Sequence, residues 1–93
     1  MRYHVRLEPL ANSDLNRLRD FLDAFAPDVA ERAARILRDG INGLASFPDR
    51  GLSIEGDRRE IYLPFGDSGY VVQYRVDPGV VVVARIFHMR EHR

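Results

Sequence analysis

The residues with the most chemical potential crowd the end of the chain. Arg85-Ile86-Phe87-His88-Met89-Arg90-Glu91-His92-Arg93 packs three arginines and two histidines into nine positions. Imidazole transfers protons near neutral pH, and a planar guanidinium grips phosphate or carboxylate through paired hydrogen bonds. A nuclease would want such groups, an anion-binding edge would want them equally, and a merely charged terminus would also contain them. His88 and His92 stand four apart, a helical metal-ligand spacing, but no acidic cluster accompanies them and the chain has no cysteine. No metal or other cofactor is therefore expected.

Other segments offer less. Gly66-Asp67-Ser68-Gly69 copies the surroundings of a serine nucleophile, yet 93 residues leave little room for a base and an oxyanion hole, and these residue types favour a hairpin loop. His4 falls on the polar side of an alternating strand, where a solvated role is expected. Arg58 and Arg59, beside Glu60, could contact phosphate or pair at the surface. Arg17, Arg19, Arg32, Arg35 and Arg38 alternate with Asp20, Asp23, Asp28, Glu31 and Asp39, the pattern of solvated helix faces with local ion pairs.

Composition narrows the chemistry further. All fourteen basic residues are arginine, so no mechanism needing a lysine amine is open. The absence of cysteine removes disulfides and thiol catalysis. Formal net charge is zero, so neither general attraction to nucleic acid nor direct sequence-specific binding to it is expected. Charge is unevenly spread: residues 1–57 hold 8 arginines against 10 acids, residues 58–93 hold 6 against 4. An anion-facing site belongs in the second part. The longest apolar run, Val80 to Ala84, is too short to span a bilayer, and the opening Met-Arg-Tyr-His-Val-Arg lacks a signal-peptide core. A cytoplasmic protein with no membrane partner is the expectation.

The elements that must position these groups follow from periodicity. Residues 2–8 alternate, with Tyr3, Val5 and Leu7 on one side, which marks a half-buried strand. Asn12 and Ser13 offer helix N-caps, with Asp14 in the first turn where it suits the helix dipole. Leu15, Leu18, Leu22 and Phe25 continue at helical spacing. Ala26-Pro27-Asp28 interrupts it, and a second helix carries Val29, Ala33, Ile36, Leu37, Ile41 and Leu44, giving an antiparallel hairpin. A polar stretch is expected to run from Phe47-Pro48-Asp49-Arg50-Gly51 to Asp57. Three strands follow: about 59–63, 70–76, and 80–87 after the Asp77-Pro78-Gly79 turn. The order is β-α-α-β-β-β in one α+β domain covering residues 1–93, with the helical hairpin on one face of a small, mainly antiparallel sheet. Glu60, Tyr62, Gln73, Arg75 and Arg85 are expected to gather on the opposite face, and the last strand, apolar on both sides until Arg85, to be central.

This order and length resemble the RelE/ParE toxin superfamily of type II toxin–antitoxin systems. The likeness is greatest in Gly69-Tyr70-Val71-Val72-Gln73-Tyr74-Arg75-Val76, in the Asp-Pro-Gly turn, and in Val80-Val81-Val82-Val83-Ala84-Arg85-Ile86-Phe87-His88, which resembles the valine-rich final strand of ParE-like toxins. RelE-type toxins of that superfamily cleave messenger RNA with lysines, a mid-strand arginine, a later arginine and a terminal tyrosine. Here lysine is missing, Val71 holds the mid-strand position, only Arg90 matches the later arginine, and the tyrosine has no counterpart. The resemblance is therefore closest to ParE-like toxins, which implies a plasmid-stabilisation type of toxin that inhibits DNA gyrase by binding.

That resemblance also implies a cognate antitoxin, ParD-like with a ribbon-helix-helix fold, whose disordered segment would fold over the hairpin. Leu15, Leu18, Leu22, Val29, Ile36, Leu37 and Ile41 supply more apolar surface than one sheet face needs and are the expected antitoxin contacts. Arg75, Arg85, His88, Arg90, His92 and Arg93 are the expected target-binding edge. The alternative within the superfamily is a ribosome-dependent endoribonuclease with His88 or His92 as acid, Glu60 as base, and Arg85 or Arg90 on the phosphate. A non-toxic relic that only binds antitoxin is the third reading.

Overall fold

A computed structural model describes residues 2–91; His92 and Arg93, both expected at the target-binding edge, lie outside the described residues. Strand β1 (His4–Leu7) leads into helix α1 (Pro9–Asp23), and a three-residue link connects it to helix α2 (Pro27–Gly43). A short 3-10 turn (Pro48–Arg50) precedes four strands: β2 (Leu52–Glu55), β3 (Arg58–Phe65), β4 (Ser68–Asp77) and β5 (Val80–His88). Among the described residues no helix is long and apolar enough to cross a membrane.

The strands form one sheet in the order β1-β5-β4-β3-β2. Only the β1–β5 pairing is parallel, so the sheet is mixed, and the first strand of the chain docks on the last. The expected α+β architecture and the hairpin are present, with one extra strand. β2 falls inside the stretch read as polar loop. All four of its residues are exposed and a bulge follows Ser53, so it lacks the buried alternation by which a strand is recognised. Gly56 closes its hairpin at φ 58°, a left-handed conformation that glycine adopts without steric cost.

α1 also begins earlier than Asn12. Pro9 occupies the first turn, where its fixed φ suits the helix and its missing N–H is not needed, and Asn12 N–H already bonds to Glu8 C=O at 3.1 Å. Asp14 is therefore not a dipole-facing residue of the first turn. It sits mid-helix on the same stripe as Ala11 and Leu18 and is buried against the sheet.

The core lies between the hairpin and the inner sheet face. Ala33, Leu37, Ile41 and Leu44 meet Ile61, Leu63, Tyr70, Val72, Tyr74, Val81 and Val83 there. α2 approaches β3 closely because Gly40 has no side chain; a Cβ at that position would lie 2.5 Å from both Leu63 methyl carbons. Tyr74, buried at the bottom, donates its hydroxyl to Pro48 C=O at 2.7 Å and accepts Gly51 N–H at 2.8 Å, which pins the 3-10 turn under β2. β5 is interior, as its apolar run implied: Val81, Val82 and Val83 are fully buried.

Candidate functional site

β5 owes the orientation of its last residues to a bulge. Gln73 pairs with Arg85 but Tyr74 pairs with Val83, so Ala84 is the extra residue. Strict alternation from Val81 and Val83 would send Arg85 into the core. The bulge turns it outward beside Gln73 and brings Ile86 inward, where it is fully buried. Arg85 then lies over the Phe87 ring at 4.6 Å.

Arg85 is not an available cation. Its Nε and Nη2 donate to the two Asp14 oxygens at 2.9 and 3.1 Å, Arg17 Nη1 donates to Oδ1 at 2.6 Å, and Ile86 N–H donates to Oδ2 at 2.8 Å. Burial pushes the Asp14 carboxyl up, but the bonds from Arg85, Arg17 and Ile86 outweigh it and hold the group below its ordinary 3.8. The same bond to Asp14 raises Arg85 and Arg17. Arg17 also reaches Glu91 at 2.9 Å, and Glu91 in turn accepts His88 N–H at 3.0 Å. Two carboxylates and two guanidiniums thus join α1 to the turn that follows β5. Arg17 accordingly departs from the solvated-face expectation, whereas Arg35–Glu31 and Arg19–Asp20 are local pairs of the expected kind.

His88 sits against the edge of the Tyr70 ring, centroids 5.3 Å apart, and its Nδ1 accepts Arg90 N–H at 3.2 Å. That bond places the proton of the neutral imidazole on Nε2. Burial, together with the Glu91 charge, raises the Tyr70 hydroxyl above its ordinary value. Arg90 points outward, 3.6 Å from Asp67. A groove of about 570 Å³ opens here, lined by Arg17, Leu18, Leu22, Tyr70, His88 and Arg90 among others. Through Leu18, Leu22 and Tyr70 it continues into a second groove of about 340 Å³ along the helical hairpin, where Arg19 and Arg38 lie over leucines and alanines.

The opposite sheet face carries the remaining candidates. Glu60 accepts from Gln73 at 2.8 Å, and Arg75 is held between Glu8 and Asp77, each at 3.2 Å. Tyr62 is exposed, as expected for this face. The expected polar surface therefore exists, but its charges are largely satisfied within the fold. Glu60 and His88 do not meet: His88 faces inward with Tyr70, and Glu60 faces outward with Gln73. A base and an acid flanking one phosphate cannot be separated by a sheet.

The expected antitoxin contacts divide in the same way. Leu18, Leu37 and Ile41 are 8%, 4% and 5% exposed and belong to the core, contrary to the surplus expected of them. Leu15, Leu22 and Val29 are half-buried, and Ile36 is exposed. Leu10, Phe21 and Phe25 are exposed too, and the two phenylalanine rings stack 5.1 Å apart. The sheet is covered by the inner side of each stripe, Ala11 and Leu18 of α1 and Ala33, Leu37 and Ile41 of α2; what remains outside is the outer part of the stripe. Asp14, Arg17 and Glu91 were missed as a unit. The one sequence signal was an acid at Asp14 on the stripe of Ala11 and Leu18, where an apolar residue was due.

Residues 5–93 match the family described as the ParE toxin of the type II toxin–antitoxin system parDE. The chain belongs to the ParE toxin family. Within the wider RelE/ParE superfamily, it is 44% identical over 89 residues to toxin RelE3 of Caulobacter vibrioides, covering 96% of this chain and 97% of the relative. The fold is that of the chromosomal ParDE system of P. aeruginosa, with a TM-score of 0.76 at 18% identity over 94% of this chain and 96% of that one. It is also that of the Mycobacterium tuberculosis RelBE2 toxin–antitoxin complex, with a TM-score of 0.66 at 22% identity over 98% and 95%. The matched range of this toxin includes β5 and the turn after it, to which the Asp14 carboxylate of α1 and the Glu91 carboxylate are bonded.

Proposed function

We propose that the toxin acts in the cytoplasm by binding, with DNA gyrase as its target, as part of a plasmid-stabilisation type of system. A cognate antitoxin of the ribbon-helix-helix kind neutralises it by laying an apolar segment along the hairpin groove. The observation that carries this reading is the separation of Glu60 from His88 by the sheet, together with the commitment of Arg85 to Asp14. A ribonuclease would need these groups to converge on one phosphate. His88 and Arg90, at the mouth of the groove, form the target-binding edge, to which His92 and Arg93 are assigned from the sequence; Arg85 holds the strand end through Asp14, and Arg75 lies away from this edge, between Glu8 and Asp77. Purified toxin is expected to inhibit supercoiling by gyrase, and added antitoxin to restore it. Unimpaired supercoiling in the presence of free toxin would refute the proposal.

The RelE name of the Caulobacter relative favours a second reading, cleavage of translated messenger RNA. Primer extension after induction separates the two: new cleavage ends on messages support the second and count against the first.

A further inference from the structure

Most polar groups around the end of β5 are paired, but two donors are not. Tyr70 is 2% exposed, and its hydroxyl has no hydrogen-bond partner among the described residues. No fully enclosed side-chain oxygen or nitrogen among those residues lacks a partner, so this hydroxyl opens into the joined grooves that Tyr70 lines. Burial, together with the Glu91 charge, raises the hydroxyl above its ordinary value, which keeps it a donor at neutral pH. His88 accepts Arg90 N–H on Nδ1 at 3.2 Å. Its Nε2–H is then a second donor in the wall of the 570 Å³ groove, again without a partner among the described residues. Donors placed so deep call for an acceptor from outside the fold.

The acceptors nearby are already committed. Glu91, the one acid lining this groove among the described residues, takes Arg17 Nη2 at 2.9 and 3.2 Å and His88 N–H at 3.0 Å. Arg17 is committed in turn to Glu91 and Asp14. Arg90 is the available cation: it stands 3.6 Å from Asp67, and the two side chains are 68% and 92% exposed, so solvent screens the pair. Met89 N–H donates to Gly69 C=O and Glu91 N–H to His88 C=O, both at 3.0 Å. The turn carrying His88 and Arg90 is therefore fixed before anything binds, which lowers the ordering cost of binding. Beyond these donors the lining is apolar, with Leu18, Phe21 and Leu22.

We propose that this groove binds a small amphiphile, one anionic head (carboxylate or phosphate) on an apolar tail. The head accepts from the Tyr70 hydroxyl and His88 Nε2–H beside Arg90, and the tail lies on Leu18, Phe21 and Leu22. A preformed, mainly apolar cleft of this size with a few convergent polar groups is the usual form of a small-molecule site. The site needs neither the gyrase nor the antitoxin reading, so its failure would leave both standing.

The test titrates octanoate, octyl phosphate, 1-octanol and acetate into the full chain. Binding is followed by NMR of the Leu18 and Leu22 methyls, the Tyr70 ring and His88 Nε2. One of the two anionic amphiphiles should saturate the shifts of all these groups and bind more tightly than octanol, which has the tail without the charge. It should also bind more tightly than acetate, which has the head without the tail, and the tighter of the two names the head. Tyr70→Phe should weaken that ligand by about two- to ten-fold, the net worth of one hydrogen bond, and leave octanol unchanged, which shows that the groove still forms. Arg90→Gln should weaken it too and make its binding less sensitive to salt. Anionic amphiphiles that bind no better than octanol would overturn the proposal. So would equal affinity in Tyr70→Phe, or shifts that spread over the surface without saturating.

Discussion

Replacing Asp14 should be among the most damaging single changes to the fold. Asp14→Ala removes the acceptor of three guanidinium bonds and of Ile86 N–H at one stroke. Breaking a buried ion pair costs about 3–5 kcal/mol when the stranded charge stays buried. Here Arg17 and Arg85 are 44% and 34% exposed, so water recovers much of their charge and that part shrinks to about 1–2 kcal/mol. The stranded Ile86 N–H adds about 1–3 kcal/mol. A total of about 2–5 kcal/mol follows, which in a domain of this size lowers Tm by roughly 10–40 °C. Asp14→Asn keeps one oxygen for Ile86 N–H and should lose about 1–2 kcal/mol less. Urea unfolding followed by far-UV circular dichroism at pH 7 gives the comparison. The folded-state pKa of Asp14 is lowered, so its stabilisation is complete above its ordinary 3.8 and is lost as pH falls through the lower folded value. Wild-type stability should therefore decline with acid below about pH 4 more steeply than that of Asp14→Asn. A loss under about 0.5 kcal/mol for Asp14→Ala, the range of ordinary surface substitutions, would refute the reasoning.

Three further outcomes are expected. Tyr74→Phe removes both tyrosine bonds to the 3-10 turn, leaving those from Arg59, and strands Gly51 N–H, so it should cost about 1–3 kcal/mol in urea unfolding and speed amide exchange in β2. Gly40→Ala should destabilise by about 1–3 kcal/mol although alanine favours helix, because its Cβ meets Leu63 inside the core; a stabilised variant would mean that α2 shifts freely over β3. Glu60→Gln, on the outer face, should leave growth inhibition on induction intact, whereas a catalytic base would lose activity by about 10²–10⁴-fold.

The lasting lesson concerns which features are local. Periodicity in residues 2–8, the leucine stripe through Leu22, Pro27 at a helix start and the Asp77-Pro78-Gly79 turn are each decided by neighbours in the chain. They made the hairpin, the strands and the inner faces of β3 and β4 legible, and with them the superfamily. β2 escaped because an exposed, bulged edge strand buries nothing and leaves no alternation to read. The site was harder still. One extra residue at Ala84 reverses the facing of everything after it, and that bulge exists only in the pairing of β5 with β4. Asp14 and Arg85 are 71 positions apart and meet because β1 stops short and α1 fills the gap. Sequence by itself therefore determined that arginines and histidines gather at the end of the last strand. Only the tertiary structure decided which of them are neutralised and which face the groove, because a charge is free or spent according to what lies next to it in space.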